Sequence, residues 1–497
     1  MSILEDSGQQ GLETSEVVEA RPRIQQVSTL LREVEKNRNC YDPRLVSFGP
    51  YHYGNPKLQL GQTLKTKLVR RRLSSFKDQT SSGKSIKDIF NEDFDKVAYE
   101  ARDCYAMGST DKFNHQEFKC LMFLDGCFIV YFIHFIVNGK QDHLKMKNDH
   151  IAFTIMDFLL LENQLPYIVL QTLLTTLIPE ENIDLFEKFI DLQTKATGSI
   201  STREPLYHSL LGLFICCSNS LRKKSISYDE TPTTTVKNEP IHLLDIFRNK
   251  FLSTSSSLPI NGKSQEVQSD EDEDNWQSFR SVQELKVAGI RCICAGTCYP
   301  KKVKFWQHNM YGELSLPAIV VDDSTKTKWL NLVAYEACPD FSNDLAFTSF
   351  VCFVDSLIDH AEDVKKLRLQ GVLLNGLGSD QNVADLFNDM TIDLTPNPTA
   401  YMKVKCGIQR HYKNRWGIWI AEALQTNFRT PWTTTAFFAA LFIIILTLFQ
   451  LFSPSFRPTS KKLILATMIK LPRSSPKLSI SSPQEGCQGH HENASLV

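Results

Sequence analysis

The chain lacks the short motifs that mark familiar chemistry. It has no G-x-x-x-x-G-K-[ST] phosphate loop, no G-x-G-x-x-G turn, no H-E-x-x-H pair and no G-x-S-x-G elbow. It also lacks an excess of either charge: 55 Lys and Arg meet 56 Asp and Glu, a formal balance of −1. That balance gives no global pull toward nucleic acid, so no nucleic-acid partner is expected. The paired C-x2-C knuckles of a structural zinc site are missing too. Cys292, Cys294 and Cys298 form C-x-C-x3-C instead and read as packed thiols. The first twenty residues have no basic start and no apolar stretch, so no cleavable signal peptide is expected. With these absences, no catalytic, cofactor-binding or metal-binding residue is assigned, no cofactor is expected, and the chain is read as not an enzyme.

What the chain does have is one long uncharged apolar run, Pro431 to Phe452. As a helix it would rise about 33 Å at ~1.5 Å per residue, enough to cross a hydrocarbon core. This predicts a C-terminal transmembrane helix and a lipid bilayer as one partner. Leu121–Val137 is the next most apolar segment, but it is shorter and carries Asp125 and His134. Ionisable groups near a span centre are costly, so it reads as a central core helix. Asp125 then needs a buried partner or a place near the helix start.

The thirteen cysteines show no regular framework, and Cys127, Cys216, Cys217 and Cys352 sit in apolar runs. This favours reduced thiols and a body facing the cytosol. Near the run, Lys413, Arg415 and Arg429 precede it, while Arg457, Lys461, Lys462 and Lys470 follow it. That near-equality leaves orientation undecided by charge. The sequon Asn493-Ala494-Ser495 would be usable only if the tail faced outward.

Along the chain, residues 1–22 read as disordered and a helical pattern spans Ile24 to Val34. Leu45 to Leu58 carries Gly49-Pro50, Gly54 and Asn55-Pro56, with Phe48, Tyr51, His52 and Tyr53 crowded between. It reads as a packed loop, with Gly54 free to take positive φ. His52 has no visible acid–base partner and reads as part of that packed turn. Leu64–Phe76 is basic and amphipathic, by default a solvated face, otherwise a membrane-surface or anionic-partner segment. Helical pattern resumes from Ile86 to Met107. Asp149–Leu174 is buried helix, broken at Glu162-Asn163-Gln164 and restarted at Pro166, which removes a backbone donor. Glu162 accordingly reads as structural.

Ser218–Glu239 and Ser253–Asp274 are polar, the latter ending in an acidic run, and read as low-complexity insertions near 218–239 and 253–275. Ile241–Phe251 is a short amphipathic helix between them. Val282, Leu285 and Ala288 form a helix closed by Gly289. Leu316–Asp323 is a β-branched run, with Lys328–Glu336 either its hairpin partner or a helix. Asp340–Leu374 reads as helix, Asn375–Asp380 as a break, and Ser379 as the cap of the next helix. Residues 24–430 therefore form a mostly helical body, mainly α with a small β hairpin or sheet (α+β). The helix at 431–452 and a basic Ser/Pro-rich tail at 453–497, read as disordered, complete the layout. His490 and His491 in the tail could hold metal only adventitiously.

The ordered segments VSFGPYHYG, LDGCFIVYFI, FLLLENQLPYIVL, HLLDIFR, LPAIVVDD, LNLVAYE, SLIDHAEDVKKLRLQGVL and LGSDQNVADLF, then PW before the apolar run, resemble a plant family. It is known as domain of unknown function number 247, and the resemblance covers Ile24 to Phe452. It implies a mostly helical body with one C-terminal membrane segment and no established reaction. Some members resemble, or are, pollen-side determinants of grass self-incompatibility, which suggests recognition or signalling at a membrane. This chain departs from the family in its basic GQTLKTK segment, where acids are usual, and in the tail after Phe452. The expected function is a single-pass plasma-membrane protein acting through an unidentified protein partner. The alternatives are a structural scaffold and, behind it, an uncharacterised enzyme.

Overall fold

Asn114 starts the helix around which the body is built. Its side chain accepts from Glu117 N at 2.9 Å, and Glu117 Oε2 accepts from Asn114 N at 3.0 Å. This reciprocal cap satisfies two end donors and launches a 23-residue helix, His115–Val137. The computed structural model describes residues 23–75, 86–181, 184–195, 226–229, 239–252, 280–295, 303–308, 311–341, 344–413 and 431–452. The helix begins a turn and a half before the apolar run read from sequence. By length and apolar composition it could cross a membrane, yet most of it is buried inside the protein. Helices Gln59–Ser75, Phe94–Asp103, Tyr167–Leu177 and Leu185–Lys195 pack around it. Gly126 permits the closest approach, since a Cβ there would lie 2.4 Å from Leu173 Cδ1.

The chain divides into two units, Met1–Glu422 and Ala423–Val497. Among the described residues, the buried apolar core, from Ile24 to Ile408, belongs to the first. That unit therefore holds the apolar burial it needs to fold without the second.

Among the described residues, the first unit is mainly helical with two small sheets. Strands β1 (Ile226–Asp229), β2 (Ile290–Cys294), β3 (Lys304–Gln307) and β4 (Gly312–Leu316) form a sheet in the order β1-β3-β4-β2. β3 runs antiparallel to β1 and β4, while β2 and β4 are parallel. β5 (Ile319–Val321) pairs in parallel with β6 (Leu373–Asn375). Lys328–Glu336 is no hairpin partner; it belongs to a helix, Thr325–Glu336. Helices Ala346–Asp355, Ala361–Leu369, Asp380–Met390 and Met402–Lys413 complete this half. Rings of Phe251, Trp329, Phe347, Phe350 and Phe387 meet between these helices and helix Leu243–Leu252.

Several sequence expectations need correction. Ile24–Val34 is helical only over Thr29–Glu33, because Ile24 is drawn into a β-bridge with Tyr105. The stretch read as a low-complexity insertion near 218–239 includes β1. Asp340–Leu374 is two helices and a strand. Asp363 at the first turn of Ala361–Leu369 accepts the N–H groups of Asp359 and His360 and ends the continuity there. Other expectations hold: Gly289 has φ +77° after helix Val282–Val287, and Ser379 Oγ caps Asn382 N at 3.0 Å. Residues 1–22, the acidic insertion and the tail from Ser453 lie outside the described residues.

In the second unit, Pro431–Phe452 forms one continuous helix of 22 residues without a charged side chain. Its described apolar side chains are exposed, Phe442 by 62%.

Candidate functional site

A loop of aromatic residues is held to the central helix by buried polar side chains. Residues Leu45, Val46 and Phe48 are buried, so their N–H groups cannot be left without acceptors. Asp157, the last residue of helix Asn148–Asp157, accepts Arg44 N at 2.8 Å, Leu45 N at 2.9 Å and Val46 N at 2.8 Å. Burial pushes its carboxyl up to about 6 against the pull of those three donors. Asn163 accepts from Phe48 N at 2.7 Å and donates to Val46 O and Asp157 O. Asp125 accepts from Gly49 N at 2.9 Å and pairs with Lys65, which donates to Ser47 O at 2.7 Å. Burial raises the Asp125 carboxyl; the Lys65 ammonium opposes that shift.

The backbone break that supplies these groups lies between Asp157 and Pro166. Helix Asn148–Asp157 ends early, Leu161–Asn163 forms one 3-10 turn, and helix Tyr167–Leu177 starts after a bend of 106°. Pro166 stands at the cap rather than inside the first turn. Gln164 donates to Phe158 O and Leu160 O, both at 2.7 Å, and accepts from Leu244 N at 3.0 Å. Asn331 accepts from Leu161 N at 2.9 Å, tying in helix Thr325–Glu336.

Glu162 and His52, distant in sequence, come together. Glu162 Oε2 accepts from Arg32 at 2.8 Å and lies 3.2 Å from His52 Nε2; Oε1 accepts from Val27 N at 2.8 Å. Burial disfavours the charge most strongly, but His52, Arg32 and the Val27 N–H together hold the carboxyl below its ordinary value. Glu162 is thus a fixed anion that fastens the N-terminal segment to the body. The sequence reading of His52 missed this partner, because only folding brings Glu162 near.

Beside this fastening lies an open cleft of about 510 Å³. One wall is Gln25, Gln26, Ser28 and Thr29; a second is Ala106 to Ser109; a third is Ala334, Ala337, Cys338 and Pro339, with Tyr51 between. The lining is amide, hydroxyl and apolar side chains, without a charged group. Its titratable groups are Tyr51 and Cys338, each pushed up to about 12 chiefly by burial, so both are neutral at pH 7. Met107 stands at 91% exposure on the second wall. Such a surface suits hydrogen bonding and shape rather than proton transfer. No signal in the sequence joins its three walls.

The remaining candidates fall elsewhere. Cys292 and Cys294 lie in β2, Cys292 buried and its thiol pushed up to about 12 by that burial. Cys298, His490 and His491 lie outside the described residues. Among the described residues no group of three His, Cys, Asp or Glu side chains is placed to hold a metal. The basic segment is a helix, Gln59–Ser75, but Lys65 is buried rather than solvated.

Compared with known proteins, the chain matches a family profile, domain of unknown function 247, described as plant protein of unknown function, over residues 24–446. It is similar to UPF0481 protein At3g47200 of Arabidopsis thaliana, 27% identical over 441 residues, with 84% of this chain and 83% of the relative covered. It is also similar to putative UPF0481 protein At3g02645 of the same plant, 24% identical over 497 residues, with 86% and 91% covered. No solved structure matches the chain.

Proposed function

The chain belongs to the plant family of domain of unknown function 247, and from that premise we propose that it is a membrane-tethered recognition protein acting through protein–protein contacts. The observation that carries the tether is the uncharged helix Pro431–Phe452. It rises about 33 Å at ~1.5 Å per residue, and a helix pairs the backbone groups of its interior within itself, as a bilayer core demands. Its exposed Leu441–Phe449 side chains are the kind that hydrocarbon, not water, accommodates. The expected site is the plasma membrane with the body in the cytosol. The described cysteines are all free thiols, which supports a reducing compartment.

The cleft beside Tyr51 supports the recognition half of the reading. Its neutral lining offers amide and hydroxyl partners to an extended peptide, and Ala337 and Gln26 are exposed on its walls. Two experiments test the proposal. Full-length chain should resist alkaline carbonate extraction from plant membranes, while a chain lacking residues 431–452 should be released. Extraction of both alike would remove the tether. A photo-crosslinker at Gln26 should capture one protein reproducibly, and Ala337→Trp, which fills the cleft, should abolish that product. Capture unaffected by Ala337→Trp would remove the cleft as the recognition surface.

A further inference from the structure

From Pro43 to Lys77 the chain contains no Asp or Glu. Within that stretch, helix Gln59–Ser75 uses its cations in two ways. Lys65 turns inward to Asp125, and Arg72 lies over the rings of Tyr131 and Phe135. Lys67, Arg70 and Arg71 instead stand exposed on the outer face. Spacings of three and four residues place them on one stripe, and Leu60, one more heptad back from Lys67, is 51% exposed on it. Arg71 donates to the carbonyl of His143 at 2.6 Å, which brings the turn bearing Lys140, Lys145 and Lys147 against this end of the helix. The acids of that turn are Asp142 and Asp149. Among the described residues, Lys67, Arg70, Lys140, Lys145 and Lys147 have no carboxylate within ion-pair distance.

We propose that this face docks on anionic lipid headgroups, so that the body lies against the membrane that holds its anchor. The inference rests on the tethered reading. Lys67 and Arg70, free of carboxylates, beside the exposed Leu60 match a surface of negative charge over hydrocarbon, and the tether keeps such a surface within reach. The attraction acts within a Debye length, about 8 Å at physiological salt, so it requires the face itself to lie on the lipid.

The test uses the first unit, residues 1–422, which carries the apolar core of the described residues and ends before helix Pro431–Phe452. It should co-sediment with vesicles containing phosphatidylserine and not with vesicles of phosphatidylcholine alone. Lys67→Glu with Arg70→Glu should lower that partitioning by at least about tenfold, given ~1 kcal/mol per basic residue at the surface. Lys365→Glu with Lys403→Glu, exposed positions on other helices, should leave it unchanged. Unaltered thermal melting of both variants establishes that the effect is not unfolding. Equal binding to neutral vesicles, or binding indifferent to Lys67→Glu with Arg70→Glu, would overturn the proposal. Neither result depends on residues 431–452, so the carbonate extraction above succeeds or fails separately.

Discussion

Lys65 and Asp125 form an ion pair that water does not reach: Asp125 is fully buried and Lys65 is 1% exposed. The two charges do more than neutralise each other. Asp125 also takes Gly49 N, and Lys65 also gives to Ser47 O, so the pair spans both sides of the aromatic loop. The Lys65 ammonium lies 5.3 Å from the centre of the Phe48 ring as well. A loop rich in glycine and proline is thereby fixed on the central helix.

Removing one partner alone should therefore be severe. Asp125→Leu or Lys65→Met should each cost about 3–5 kcal/mol, read as a drop in the urea midpoint of the first unit. Lys65→Met combined with Asp125→Leu removes both charges and should cost clearly less than the two single losses added together. Simple additivity would show that the pair is not coupled.

Gly49 and Gly54 provide a comparison within one loop. Both have positive φ, +69° and +80°. A Cβ at Gly54 meets nothing within 4 Å, whereas at Gly49 it would stand 2.9 Å from Tyr105 Oη and 3.1 Å from Gln164 O. Gly54→Ala should cost only the backbone penalty, about 1–2 kcal/mol. Gly49→Ala should add about 1–3 kcal/mol of overpacking, visible as a larger fall in melting temperature. Equal effects would mean that the loop shifts away from Tyr105 freely.

Which of these relationships could be read from sequence follows from their range. Pro166 acts on its own backbone, so a break just before it is visible in the residues themselves; that the preceding helix already ends at Asp157 is not. Gly289 and Ser379 act within one helical turn and are equally legible. Lys65 looks like its solvated neighbours, because nothing in the segment names a carboxylate 60 residues away. The same holds for His52 and Glu162, and for the cleft walls. Strand β1 was hidden differently: its pairing with β3 joins two short segments across a long polar stretch.

Glu162 should show its role in acid. Its carboxyl is held below the ordinary value of 4.5, so its contribution is present above that pH and lost as pH falls through the lower folded value. Glu162→Gln keeps the shape but leaves Arg32 and His52 facing a neutral amide. It should cost about 1.5–3 kcal/mol at pH 7, the worth of hydrogen bonds to a charged group. The gap to the unsubstituted protein should narrow as pH drops below 4.5. A gap constant down to pH 3 would exclude the charge as its origin.

His242 gives the clearest test of pH dependence. It is fully buried; its Nδ1 accepts from Asp245 N at 3.1 Å, and burial lowers its pKa to about 3. A histidine so depressed stabilises the fold above its ordinary value of 6.5, and that stability is lost as pH falls from 6.5 toward 3. The slope should reach up to ~1.4 kcal/mol per pH unit. Asp157, pushed up to about 6, works in the opposite sense, since the fold gains as that carboxyl is protonated. A single acid titration of the unsubstituted protein therefore mixes the two. His242→Asn keeps a side-chain acceptor for Asp245 N but cannot be protonated in this range. The difference in unfolding free energy between the two proteins should shrink steadily between pH 6.5 and 3. Parallel curves would mean that His242 takes up its proton as readily folded as unfolded, and that burial does not hold it neutral.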